Sequence, residues 1–267
     1  MPKVQPVENR PIDRKFLTVP EVHRIARHNL QRIRTVDLYA LFEKEYQHQS
    51  GENKPLSSFN RIGKSAAACL EEDIQSAESG GDLLMNIAYA LRYDSSTIWN
   101  DMSTREKVKF MRHLGGHWAT NRHAMPLPNA KRLQKLFASG RLSVYPHFTH
   151  PEKTAEGFRM HRKKGDPLEV DLLVNATGSP SKLSDMDDPL IQAMLAKSIV
   201  QEYPVGGALV NYRTLQVMAP HSGKGLFATG HLVNGILMDV NAVWFNVRSI
   251  ETLVEELLFK IQHYDAV

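Results

Sequence analysis

The 267-residue sequence predicts an α/β protein, helical over residues 35–140 and α/β over residues 141–267. Three observations predict it. Residues 170–178, Val-Asp-Leu-Leu-Val-Asn-Ala-Thr-Gly, have an apolar, β-prone centre and stop on small residues, the pattern of a strand buried between two layers. Gly225-Leu226-Phe227-Ala228-Thr229-Gly230 repeats the Ala-Thr-Gly ending. After it, Ile236, Val240, Val243, Val247, Ile250, Val254, Leu257 and Ile261 recur alternately by four and three, which places them on one face of a long helix.

The elements follow in order. Residues 1–34 form a basic amino-terminal segment, extended through residue 17 because Pro2, Pro6 and Pro11 restrict it. Thr18 and Pro20 then open a short helix over residues 21–29. Thr35 caps the next helix, where Leu38, Leu41, Phe42 and Tyr46 share a face. Residues 49–60 read as a polar loop. From Ser65 a helical stripe of Ala66, Leu70, Ile74 and Ala77 ends at Gly80-Gly81, and Asp82 caps a further helix. Ser103-Thr104-Arg105-Glu106 is a capping box for a helix beginning at Thr104. Another helix spans residues 130–139 and ends at Gly140. Beyond it, residues 142–145 alternate like a strand, with 157–163 as its neighbour. Asp188-Pro189 opens a helix through Ile199, and 208–210 and 215–218 are weaker strands.

Composition limits the function classes. No apolar run approaches the roughly 18–20 residues needed to cross a bilayer, and the amino terminus carries no apolar stretch of a secretory signal. The single cysteine, Cys69, excludes an internal disulfide and a cysteine-based metal cluster. These features predict a cytoplasmic protein with no membrane partner. The net charge of +4 is unevenly spread, since residues 105–141 hold nine Lys or Arg against Glu106 alone. Such a surface attracts phosphates, acidic partners or nucleic acid, but no nucleic-acid reading motif accompanies it.

The two Ala-Thr-Gly endings, with Arg112-His113-Leu114 through Arg122-His123-Ala124-Met125 upstream, resemble the FAD/NAD(P)-binding oxidoreductases related to flavin monooxygenases. The likeness is to their carboxyl-terminal portion, because no G-x-G-x-x-G occurs in these 267 residues. It implies a helical region packed on an incomplete doubly wound, Rossmann-like flavoprotein domain, with FAD and NAD(P) as cofactors and a small-molecule substrate. It also implies an amino-terminal FAD-binding partner chain that supplies the missing unit. The cofactor-binding positions it implies are Ala176, Thr177, Gly178, Thr229, Gly230, His231, Asn234 and Gly235, with a helix N-terminus after Gly230 favouring the flavin edge. His231 departs from the acidic residue common after that glycine in such proteins. Arg122 and His123 are the implied contacts to a substrate carboxylate or phosphate.

Other chemistry finds less support. His113 and His117 are four apart, but Gly115-Gly116 weakens the helix that would align them, and the zinc-protease glutamate is missing. There is no G-x-S-x-G elbow, and Gly223-Lys224-Gly225 is not a phosphate-binding loop. No residue is singled out as an acid, base or nucleophile. The alternative reading is a non-catalytic binding or regulatory protein that retains a degenerate flavoprotein fold.

Overall fold

The computed structural model describes residues 2–6, 8, 12–58, 61, 63–240 and 242–263. Its amino-terminal half is built from α1 (Val19–Arg27), α2 (Thr35–Ser50), α3 (Ala66–Glu78), α4 (Leu83–Ala90), α5 (Ser95–Asn100), α6 (Thr104–His113), α7 (Gly115–Arg122) and α8 (Leu127–Ala138). Local capping explains many of the starts. Ser65 Oγ accepts from Ala68 N at 3.1 Å, Asp82 Oδ1 from Met85 N at 3.0 Å, and Ser103 Oγ from Glu106 N at 3.3 Å, each satisfying an amide that has no partner in the helix. At α2 the cap is Arg34, one residue before the expected Thr35, and the Asp37 carboxylate takes the Arg34 amide.

The amino-terminal strand β1 (Val4–Gln5) pairs in parallel with β2 (Met125–Pro126), which leads into α8. Lys3 anchors it, with Nζ 3.0 Å from Asp82 and 3.3 Å from Asp73. Glu45 in α2 is fully buried and gathers the loop before α1. Its Oε2 accepts from the amides of Lys15, Phe16 and Leu17 at 3.0, 2.7 and 3.0 Å, and Oε1 from Gln49 at 2.8 Å. Burial opposes its ionisation, but these hydrogen bonds outweigh it and hold the carboxyl below its ordinary value.

Beyond α8 the chain forms an antiparallel meander of β3 (Phe148–Lys153), β4 (Phe158–Arg162) and β5 (Leu168–Val170), followed by α9 (Pro189–Ala196). Asp188 Oδ1 caps α9 through the amides of Leu190 and Ile191, as its sequence predicts. After α9 the chain packs into irregular turns around Val210, Val217, Val233, Leu237 and Val240, joined by single bridges such as Val210 to Val217. The last helix, α10 (Val243–His263), lies against this cluster through Trp244, Phe245 and Leu253. The protein is thus a mixed helix-and-sheet fold.

Several expectations are corrected. The strand expected at 142–145 starts instead at Phe148, after His147 adopts a left-handed φ of 69° that ends the preceding run. The strand expected over 170–175 stops at Val170, and Leu172 and Val174 are 78% and 74% exposed. Residues 225–229 make only the bridge from Phe227 to Gln216. Among the described residues the two segments therefore share no sheet, and the parallel pairing is confined to β1 with β2 and a single bridge from Ile33 to Met102. The reason is non-local: a strand buried on both faces needs flanking strands and two covering layers, and past Val170, which pairs with Phe158, none of the described segments continues beside this one as a strand. The carboxyl-terminal helix is corrected too. It begins at Val243, not directly after Gly230, and Val243, Val247 and Val254 face solvent while Leu257 is half-buried. Ile236 and Val240 are buried as expected, but in the turns before the helix.

Candidate functional site

The two Ala-Thr-Gly endings meet although their strands do not form. Ala176, Thr177 and Gly178 lie in an exposed loop, where Asn175 Oδ1 accepts from the Thr177 amide at 3.2 Å and hydroxyl at 2.8 Å. That turn delivers the chain to Gly178, whose φ of +87° is costly for a residue with a side chain. Two residues on, the Pro180 carbonyl lies 3.0 Å from His231 Nε2, and the Ser181 carbonyl accepts from Gly207 N at 2.7 Å. Gly230 (φ +65°) opens a single 3-10 turn, Gly230–Val233, which takes the place of the expected long helix.

The meeting point has an open side and a closed side. A Cβ at Gly178 or Gly230 would meet nothing within 4 Å, so backbone there is accessible to a ligand. Gly235 is closed: a Cβ would collide with the Gly206 carbonyl, and the Gly235 carbonyl accepts from Trp99 Nε1 at 2.9 Å. Between them, Thr229 Oγ1 and Asn234 Oδ1 are buried with no hydrogen-bond partner among the described residues. Buried polar atoms are ordinarily paired, and these two are not. Asn234 Nδ2 is 3.5 Å from His231 Nε2, so the imidazole and the amide stand side by side.

Arg122 and His123 lie elsewhere, at the end of α7, around one carboxylate. Arg122 Nε is 3.2 Å from Asp239 Oδ2, with side chains 5% and 1% exposed. The angle is too bent for a hydrogen bond, leaving Arg122 Nε and Nη2 without one. The guanidinium also faces the rings of Trp244 and Tyr89, at 5.6 and 5.8 Å. Trp118 Nε1 donates to Asp239 Oδ1 at 3.1 Å, and His123 Nε2 stands 3.7 Å from the same oxygen. Burial pushes the His123 imidazole below its ordinary value, against the pull of Asp239 and with the push of Arg122. Asp239 holds this position at a φ of 65°, which aspartate tolerates better than most residues.

Comparison with known proteins yields no match: no family model, curated protein or solved structure matches the chain. The site is therefore judged on its chemistry. For FAD, Thr229 and Asn234 supply unpaired polar atoms, and Gly178 and Gly230 supply open backbone. These residues fit the polar part of such a group.

Sequence reasoning missed two contributors. Gly206 and Gly207, at φ 132° and 67°, let the backbone pass beneath Asn234, whose Oδ1 would lie 2.7 Å from a Cβ at Gly206. The signal was the Gly-Gly pair after Pro204-Val205. Asp239 was the other, a lone carboxylate in an otherwise apolar run. His113 and His117 fall in separate helices, α6 and α7, which the break at Leu114 divides.

Proposed function

We propose that the chain is the carboxyl-terminal part of an FAD/NAD(P)-dependent oxidoreductase, monooxygenase-like in type. Its flavin site is completed by a nucleotide-binding unit outside these 267 residues. The observation that carries this reading is the bare run 171–175. It is apolar at Leu172 and Val174, has no strand partner among the described residues, and leads into the meeting point of the two endings. An added βαβ unit would give that run a neighbouring strand and cover its exposed side chains, at roughly 25 cal/mol per Å² of apolar surface removed from water. The exposed Val243, Val247 and Val254 of α10 offer a second surface for the same layer.

In this reading Gly178 and Gly230 admit the cofactor to the backbone, while Thr229 and Asn234 hydrogen-bond its hydroxyls. His231 donates Nε2–H to the Pro180 carbonyl and so ties the turn after Gly230 to the loop after Gly178. A bound flavin would supply the redox chemistry, with NAD(P)H and a small-molecule substrate as its reaction partners.

The test is a titration with FAD, followed by the visible flavin spectrum, with and without a co-expressed polypeptide bearing a G-x-G-x-x-G unit. Binding is expected only with that unit, and should be lost in Gly230→Val, where a branched side chain meets a positive φ. A yellow protein from this chain alone would overturn the need for a second unit. No binding in either case would favour the non-catalytic alternative.

A further inference from the structure

A separate cleft of about 670 Å³ lies between the helical half and the carboxyl-terminal turns. Arg32, Asn100 and Lys107 line it from one side, and Tyr203, Asn211 and Arg213 from the other. Its charge is one-sided. Arg32, Lys107 and Arg213 face it, and no Asp or Glu is among its described lining residues.

Lys107 is the unusual member. It is 3% exposed, yet its only hydrogen-bonding partner among the described residues is the neutral Asn100 Oδ1, at 3.1 Å. An ammonium carries three donors, so two remain free. Its other close neighbours are the Trp99 and Tyr203 rings, 5.3 and 5.5 Å away. Burial, and then repulsion from Arg32, pushes Lys107 down to about 8. Buried cations are ordinarily paired with a carboxylate, and here the partner is absent from the described lining.

The site is also held rigidly. Asn100 is fixed by donating Nδ2 to the carbonyls of Ser96 and Ile236, at 2.9 and 3.2 Å, so Oδ1 stays turned to the ammonium. Arg32 is placed by a 3.1 Å hydrogen bond to the Asn100 carbonyl, and Tyr203 OH by Thr104 Oγ1 at 3.2 Å. Arg213 is exposed, with Nε on Tyr212 OH at 3.0 Å, and its remaining guanidinium donors have no hydrogen-bond partner among the described residues.

We propose that this cleft binds a small molecule through a phosphate monoester, held by Lys107, Arg32 and Arg213. Phosphate is preferred to carboxylate because three cations face one space. A monoester carries close to two charges at neutral pH and three acceptor oxygens, whereas a carboxylate offers one charge and two oxygens. The volume leaves room for an organic body against the apolar side chains of Met102 and Ile236, which line the same space.

The test is calorimetric titration of the full chain with phenyl phosphate, and with benzoate as the singly charged counterpart. Saturable binding of phenyl phosphate is expected, roughly tenfold or more tighter than benzoate, and weakened at least about tenfold by Lys107→Met and by Arg213→Gln. Arg213 is exposed, so its variant reports on binding even where Lys107→Met disturbs folding, which circular dichroism checks. Lys153→Gln, in the remote strand β3, should bind like the parent. The proposal is overturned if phenyl phosphate shows no saturation, if benzoate binds as well, or if Lys153→Gln weakens binding as much as Arg213→Gln.

Discussion

Asp239 offers the sharpest test of how the two halves are joined. Replacing it with asparagine keeps the size, the tolerance for a left-handed backbone and an acceptor for Trp118 Nε1–H, and removes only the charge. Arg122, 5% exposed, is then left as a buried cation whose remaining contacts are the Tyr89 and Trp244 rings. Removing one member of a buried pair typically costs about 3–5 kcal/mol. The ring contacts and the open edge at His123, 43% exposed, argue for the lower end, so we expect a loss of about 3 kcal/mol and a fall in Tm of about 6–12 °C. Urea unfolding at pH 7.5 measures it. The double variant Arg122→Met/Asp239→Asn should lose less than the sum of the single variants, because removing both charges leaves neither uncompensated. His123, followed by NMR titration, should move further below its ordinary value in Asp239→Asn, since the carboxylate is the one neighbour pulling it up. A loss under about 1 kcal/mol, or simple additivity, would refute the ion pair as the joint.

Three further outcomes are expected. Glu45→Gln should lose about 1–3 kcal/mol at pH 7. Because the folded carboxyl lies below its ordinary 4.5, that difference should be complete above pH 4.5 and vanish as pH falls through the lower folded value, as chemical denaturation across pH would measure. Gly235→Ala should destabilise by about 2–3 kcal/mol, since the added methyl must displace the Gly206 carbonyl, and thermal unfolding reads the change. Val247→Asp in the isolated chain should stay within about 0.5 kcal/mol of the parent, because Val247 is 52% exposed; a melting temperature lowered by many degrees would place it in a core.

What could be read from the sequence was whatever the neighbouring residues decide. Ser65, Asp82, Ser103 and Asp188 each satisfy an amide two or three residues away, so their helix starts were visible without tertiary information. The run 170–175 has equally good β-forming residues, but a strand exists only with a neighbour, and that neighbour is not encoded in the run itself. The stripe on α10 fails similarly: periodicity identified the helix, but not which side meets the protein, and Trp244, Phe245 and Leu253 claim that side instead. At the site, the glycines at 178 and 230 were legible from the repeated ending. Their meeting through Pro180 and His231 was not, being a contact between residues 51 positions apart. Lys107 was invisible for a related reason, since it sits in α6 among other cations and only the fold separates it from water.

The three tryptophans of the chain converge on one short stretch. The Trp99 indole donates to Gly235, the Trp118 indole to Asp239, and Trp244 stands in the first turn of the final helix beside Arg122. Intrinsic tryptophan emission therefore reports on how Gly235, Asp239 and Trp244 are seated. Undocking that stretch from α5 and α7 would expose the indoles and shift their emission to the red, even with every other helix intact. The protein thus carries its own reporter of the seam between its halves, with no label to attach.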